Sequence, residues 1–167
     1  MKKCTPQQQR VLKTVHLLAA ACWFGGAVSL LMLYFAKSGV TDGGELIGFN
    51  TAGHWIDTAV VVVPGAFGCL ITGLLYGLFT GWGFFRHRWI IFKWVATVAM
   101  ILFGMTCLGP WEERMLELSR QSGLAALQMA AYLDAERMNF IFGMVQAVLL
   151  ACVVGISVFK PWRKPRT

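Results

Sequence analysis

Residues 12–36, LKTVHLLAAACWFGGAVSLLMLYFA, form an apolar stretch with one imidazole, His16, well inside it. A bilayer core about 30 Å thick is crossed by roughly 20 apolar residues in a helix. In lipid the backbone must satisfy its own hydrogen bonds, so a stretch like this is a helix or nothing. A side chain that can ionise or bind a metal is costly at that depth. It therefore turns to the bundle interior and marks a functional position. What His16 meets there is the central question the sequence poses.

Three more runs follow, so that apolar spans cover about 11–36, 55–80, 89–109 and 139–159. They predict an all-α integral membrane four-helix bundle, one domain over 1–167. With 57% hydrophobic and 14% charged residues, a soluble domain is excluded. The first run is too long for a signal-peptide core and has no small-x-small cleavage site, so it is expected to stay as a transmembrane helix. Charge placement orients the bundle. Lys2, Lys3, Arg10, Lys13, Arg86, Arg88, Lys93, Lys160, Arg163, Lys164 and Arg166 fall on one side, against Lys37, Arg114, Arg120 and Arg137 on the other. The positive-inside rule then puts both termini in the cytoplasm. The net charge of +7 is thus spent on topology, and nucleic acid is not an expected partner. Cys4, Cys22, Cys69, Cys107 and Cys152 show neither CxxC nor zinc-like spacing and read as packing residues.

Between the first two spans, residues 37–54 are Gly-rich and predict turns. His54 and Asp57 lie one helical turn apart at the outer end of the second span, placed as a solvated pair, a hydrogen-bonded pair or a shared metal site. Pro64 predicts a kink. Gly25-Gly26 and the Gly73–Gly77 pair predict close helix contacts. The turn GWGFFRHRW reads as an interfacial belt, with His87 in it and Arg86 and Arg88 reaching lipid phosphates. Lys93 lies about one turn into the third span. His16 and Lys93 are therefore both roughly 6–8 Å below the cytoplasmic interface, where a group held between helices 1 and 3 meets both. Residues 110–138 predict an outer helical segment, either a hairpin opened by Pro110 and broken at Gly123 or extensions of helices 3 and 4, with a covering role. Asn139, Gly143, Gln146, Leu150, Val153 and Ser157 form one seam of the fourth span, with Gln146 expected to hydrogen-bond across helices.

LKTVHLLAAACWFGGAV resembles the first helix of a loose bacterial group. That group includes HemJ-type protoporphyrinogen oxidases, the membrane domain of CopD-type copper-resistance proteins and an uncharacterised family of four-helix integral membrane proteins. The resembling residues are Lys13, His16, Trp23 and Gly25-Gly26 in helix 1, Pro64 followed by Ile71-Thr72-Gly73-Leu74 in helix 2, and Trp89 and Lys93 in RWIIFKW. The resemblance to HemJ-type proteins implies that His16 is a haem ligand and Lys93 a catalytic or propionate-pairing group.

Three functions follow as expectations. The first is binding of haem b for electron transfer or redox chemistry. His16 would be the axial ligand, with Lys93 or Arg88 near the propionates, Trp23 in the apolar wall, and His87 a second ligand if it turns inward. The second is a non-catalytic membrane subunit or scaffold. The third is copper or other metal handling, with His16 and His54 as metal ligands and Met100, Met105, Cys107, Met144 and Cys152 as soft donors. The expected setting is the bacterial inner membrane. The partners expected there are lipid, a membrane redox protein or a second copy of the chain.

Overall fold

The computed structural model describes residues 4–80, 83 and 88–160. They form four long helical rods, each long and apolar enough to cross a membrane. The molecule is an all-α integral membrane bundle. The first rod is α1, Pro6–Ala36, continued by a 3-10 turn to Gly39. It starts where Pro6 follows a capping box: Thr5 Oγ1 accepts from Gln8 N at 3.3 Å, and Gln8 Oε1 accepts from Thr5 N at 2.9 Å. The second rod joins α2, Gly43–Ile56, to α3, Gly68–Phe79, through a π-helical stretch, Asp57–Phe67. The third joins α4, Arg88–Phe103, to α5, Gly109–Ser122, through a shorter π stretch, Gly104–Leu108, and ends in a 3-10 turn, Gly123–Gln128. The fourth is α6, Ala130–Phe159.

At 1.5 Å per residue, the 37 and 41 residues of the second and third rods run roughly 55–60 Å, about twice a bilayer core. A bilayer core matches about half of each, and the apolar stretches 55–80 and 89–109 read from the sequence are the halves that suit it. The other half projects beyond. The halves matched to the bilayer present apolar side chains outward, with Val63 65%, Val95 65% and Leu102 57% exposed, a surface that suits lipid and not water. The projecting halves build a second core of Leu46, Met115, Leu118, Ala126, Tyr132 and Ala135. Here α5 is amphipathic: Met115, Leu116 and Leu118 face inward, while Glu113, Arg114, Glu117 and Arg120 face out. Two glycines close this extended end. Gly123 stops α5 at φ +54°, and a Cβ on Gly43 would lie 3.2 Å from the Gly123 Cα.

Two expectations are corrected here. Much of the region 37–54 is helix, and the second helix starts at Gly43 rather than near residue 55. Asp42 caps it, accepting from Gly44 N at 2.9 Å, and Leu46, Asn50 and Gly53 bury one face. Tertiary burial outweighs the poor helix propensity of its glycines. Pro64 sits within a widened π stretch, where its missing N–H fits a backbone already out of α register. The segment 110–138 extends the third and fourth rods, one of the two arrangements the sequence allowed.

The first two rods pack along a stepped seam. His16 meets Thr72, Ala19 meets Gly68, Trp23 meets Gly65 and Gly26 meets Val61. On α1 these positions advance by three and four residues, which is one helix face. Gly26 supplies the close approach expected of the glycine pair, whereas a Cβ on Gly25 would meet nothing within 4 Å.

Candidate functional site

The seam delivers His16 to the interior at the end of the bundle that carries both described chain ends. Its Nδ1 is 2.7 Å from Thr72 Oγ1. The Thr72 hydroxyl also lies 2.6 Å from the Gly68 carbonyl, one turn back on α3. A hydroxyl has one proton, and a 2.6 Å contact with a carbonyl oxygen requires it there. Thr72 Oγ1 therefore accepts from His16 Nδ1–H, which leaves Nε2 with its lone pair. The Tyr76 ring stands edge-on to the imidazole, 6.3 Å between centroids, and Tyr76 OH donates to the Gln9 carbonyl at 3.1 Å, tying the same rods together.

Lys93 comes from α4 to the same end. Its ammonium lies 5.9 Å from the Trp89 ring centroid and within electrostatic reach of His16 and Cys69. His16 and Lys93 thus lie at the same end of the bundle with no hydrogen bond between them. Trp23 is 2% exposed, and its indole Nε1 has no hydrogen-bond partner among the described residues. Arg88 is exposed at the start of α4. His87 lies outside the described residues. His54 sits in α2, roughly 25 Å along the second rod from Thr72, so the two described histidines occupy opposite ends of the molecule. Met100 is buried in the central core, while Met105, Met144 and Cys152 face outward. Among the described residues no group of three or more His, Cys, Asp or Glu side chains is placed to hold a metal.

A second polar cluster, which the sequence did not reveal, lies at the extended end. Lys37, the last cation of the first rod, pairs with Glu136 at 2.8 Å and donates to Asn50 Oδ1 at 3.2 Å and Tyr132 OH at 3.3 Å. Asn50 Nδ2 in turn donates to Tyr132 OH at 3.2 Å. Beside this network is a cavity of about 70 Å³, bordered by Lys37, Asn50, Asp57, Glu112, Glu136 and Gln146. Gln146 faces this space, and the cross-helix amide bond of the fourth rod is made instead by Asn139, whose Nδ2 donates to the Leu108 carbonyl at 3.1 Å. Glu112 is 7% exposed. Its carboxylate lies over Gly53, where a Cβ would come within 2.6 Å of Oε1. Glu112 stands beyond the crossing half of its rod. Burial pushes its carboxyl up to about 8, the Asp57 carboxylate adds to the rise and the Lys37 ammonium opposes it. Its proton is then held more tightly in the folded chain than in the unfolded one, where the value is 4.5. The stability this confers is complete below the unfolded value and is lost as pH rises through the folded one. The unfolding midpoint of the detergent-purified protein is expected to fall between about pH 5 and 8, and Glu112→Gln to flatten that slope. An unchanged slope in Glu112→Gln would assign it to another group.

The signal for both features was a spacing. Leu46, Asn50, Gly53 and Asp57 recur at four, three and four residues, and Leu108, Glu112, Met115 and Ser119 do the same, each stripe carrying a polar group inward. No curated protein and no solved structure gives a significant match to the chain. A family model described as a predicted integral membrane protein matches residues 10–161. That match takes in all four membrane crossings and nearly the whole chain, and the protein belongs to the DUF2269 family of predicted integral membrane proteins.

Proposed function

We propose that this membrane protein binds haem b through His16 and serves in electron transfer or redox chemistry. The observation that carries the reading is the Thr72 hydrogen bond. It fixes the imidazole as the Nδ1–H tautomer and keeps Nε2 available, which is how proteins prepare a histidine for an axial position. The orphaned indole of Trp23 and the nearby Lys93 are consistent with a polar, anionic group in this part of the bundle. The resemblance of helix 1 to HemJ-type proteins supports the same role for His16. When bound, haem would supply reversible one-electron chemistry. The chain would contribute the oriented imidazole of His16, the Thr72 bond that holds it and the cation of Lys93 facing the propionates.

The test is the absorption spectrum of the full chain, purified in detergent from haem-replete cells and read oxidised and then dithionite-reduced. A near-stoichiometric Soret band is expected. It should vanish in His16→Ala with helicity retained, and Thr72→Val should lower haem affinity on the order of tenfold. A featureless wild-type spectrum, or a band that survives in His16→Ala, removes the haem assignment. His16 is then one rung of the seam in a non-catalytic subunit, and His16→Ala changes only the unfolding midpoint.

A further inference from the structure

Most of the extended-end cluster is electrically self-contained. Lys37 and Glu136 neutralise one another across 2.8 Å, and Asn50 and Tyr132 occupy each other's donors and acceptors. Glu112 is different. It is more than nine-tenths buried, borders the cavity, and among the described residues has neither a hydrogen-bond nor an ion-pair partner. Asp57 borders the same space, half-buried, likewise without an ion-pair partner among the described residues. Gly53 lies one turn from Asp57 and has no side chain, which is what makes room for the Glu112 carboxylate. Two carboxyl groups thus face one cavity whose neighbouring cation, Lys37, is already paired with Glu136, so an entering cation would favour the ionised form of Glu112 that the empty cavity disfavours.

The rest of the lining indicates what enters. A divalent metal lacks a donor set, since no cluster of three acidic, His or Cys side chains forms among the described residues. The walls are instead mainly apolar and aromatic. Leu30, Val61 and Leu108 border the space, and Tyr34 stacks on Phe140 with centroids 4.0 Å apart. Carboxyl groups that can give up a proton to a guest, set in an apolar, aromatic wall, suit a cation that carries hydrocarbon. We propose that this cavity binds a small organic ammonium, with Glu112 and Asp57 meeting the charge and the Tyr34–Phe140 side meeting the alkyl part. The site is separate from His16 and does not depend on the haem reading.

The experiment is calorimetric titration of the full chain in detergent with ethylammonium chloride, against sodium chloride at matched ionic strength and against 1-propanol as a neutral analogue. Saturable heat is expected with ethylammonium alone. Glu112→Gln and Asp57→Asn should each weaken binding about tenfold or more, while His16→Ala should leave it unchanged. Three outcomes overturn the proposal: no saturable binding, an equal response to sodium, or undiminished binding in the carboxylate variants. If Glu112→Gln cannot be recovered folded, Asp57→Asn decides alone, and undiminished binding by it overturns the site.

Discussion

Lys37→Met is expected to destabilise the protein by about 3 kcal/mol, the largest loss from any single charge removal at the extended end. The lysine and Glu136 side chains are only 10% and 19% exposed, so neither is well solvated. Truncating the ammonium leaves the part-buried Glu136 carboxylate without its partner and takes a donor from Asn50 and Tyr132. Removing one member of a largely buried pair costs more than the pair itself is worth, because the surviving charge is only partly solvated. Methionine keeps the length of the side chain, so the loss isolates the charge. The measurement is unfolding in mixed micelles followed by helicity. Lys37→Met combined with Glu136→Gln should recover at least half of the loss, since the double variant strands no charge. A single-variant loss below about 1 kcal/mol would mean that the pair behaves as a surface ion pair.

Gly65→Ala is expected to cost a similar amount, about 3 kcal/mol, at the opposite kind of site. A Cβ there would lie 2.8 Å from the Trp23 Cα and 2.9 Å from both its Cβ and its backbone nitrogen. A flexible side chain can move aside, but a helix backbone cannot. The two rods must separate, and every rung from His16 to Gly26 loosens with them. Gly25→Ala is the internal control. Nothing lies within 4 Å of its added Cβ, so it should gain helix propensity and be neutral or slightly stabilising. The same unfolding assay separates the two, and equal effects would refute the seam as the closest approach of the rods.

These positions also show what the sequence disclosed and what it hid. The four crossings were plain, because lipid demands long apolar runs and nothing else in the chain resembles them. The extensions of the third and fourth rods were legible from Pro110, Gly123 and the Ala- and Leu-rich stretch between 124 and 137. The helix Gly43–Ile56 was hidden, because its four glycines speak for turns and only burial of Leu46, Asn50 and Gly53 against the third rod overrides them. His16 stood out as an imidazole in a span, and the structure adds the Thr72 bond that gives its ring a fixed tautomer. Lys37 looked like an ordinary cation at a helix end, and Glu112 like one of two acids in a first helical turn. Their importance comes from residues distant in the chain, Glu136 for Lys37 and Gly53, which makes room for Glu112. The helical spacing marks the inward faces, but no local pattern encodes which partner each face meets.

The extended-end core draws on every rod: Lys37 from the first, Leu46 from the second, Met115 and Leu118 from the third, Tyr132 and Ala135 from the fourth. Spans that enter the membrane one after another can each settle as helices alone. This cap cannot. Until the fourth rod has been synthesised and inserted, α2 has no Tyr132 to receive Asn50, and Lys37 has no Glu136. Closure of the cap is thus the step at which four separately inserted spans become one tertiary unit.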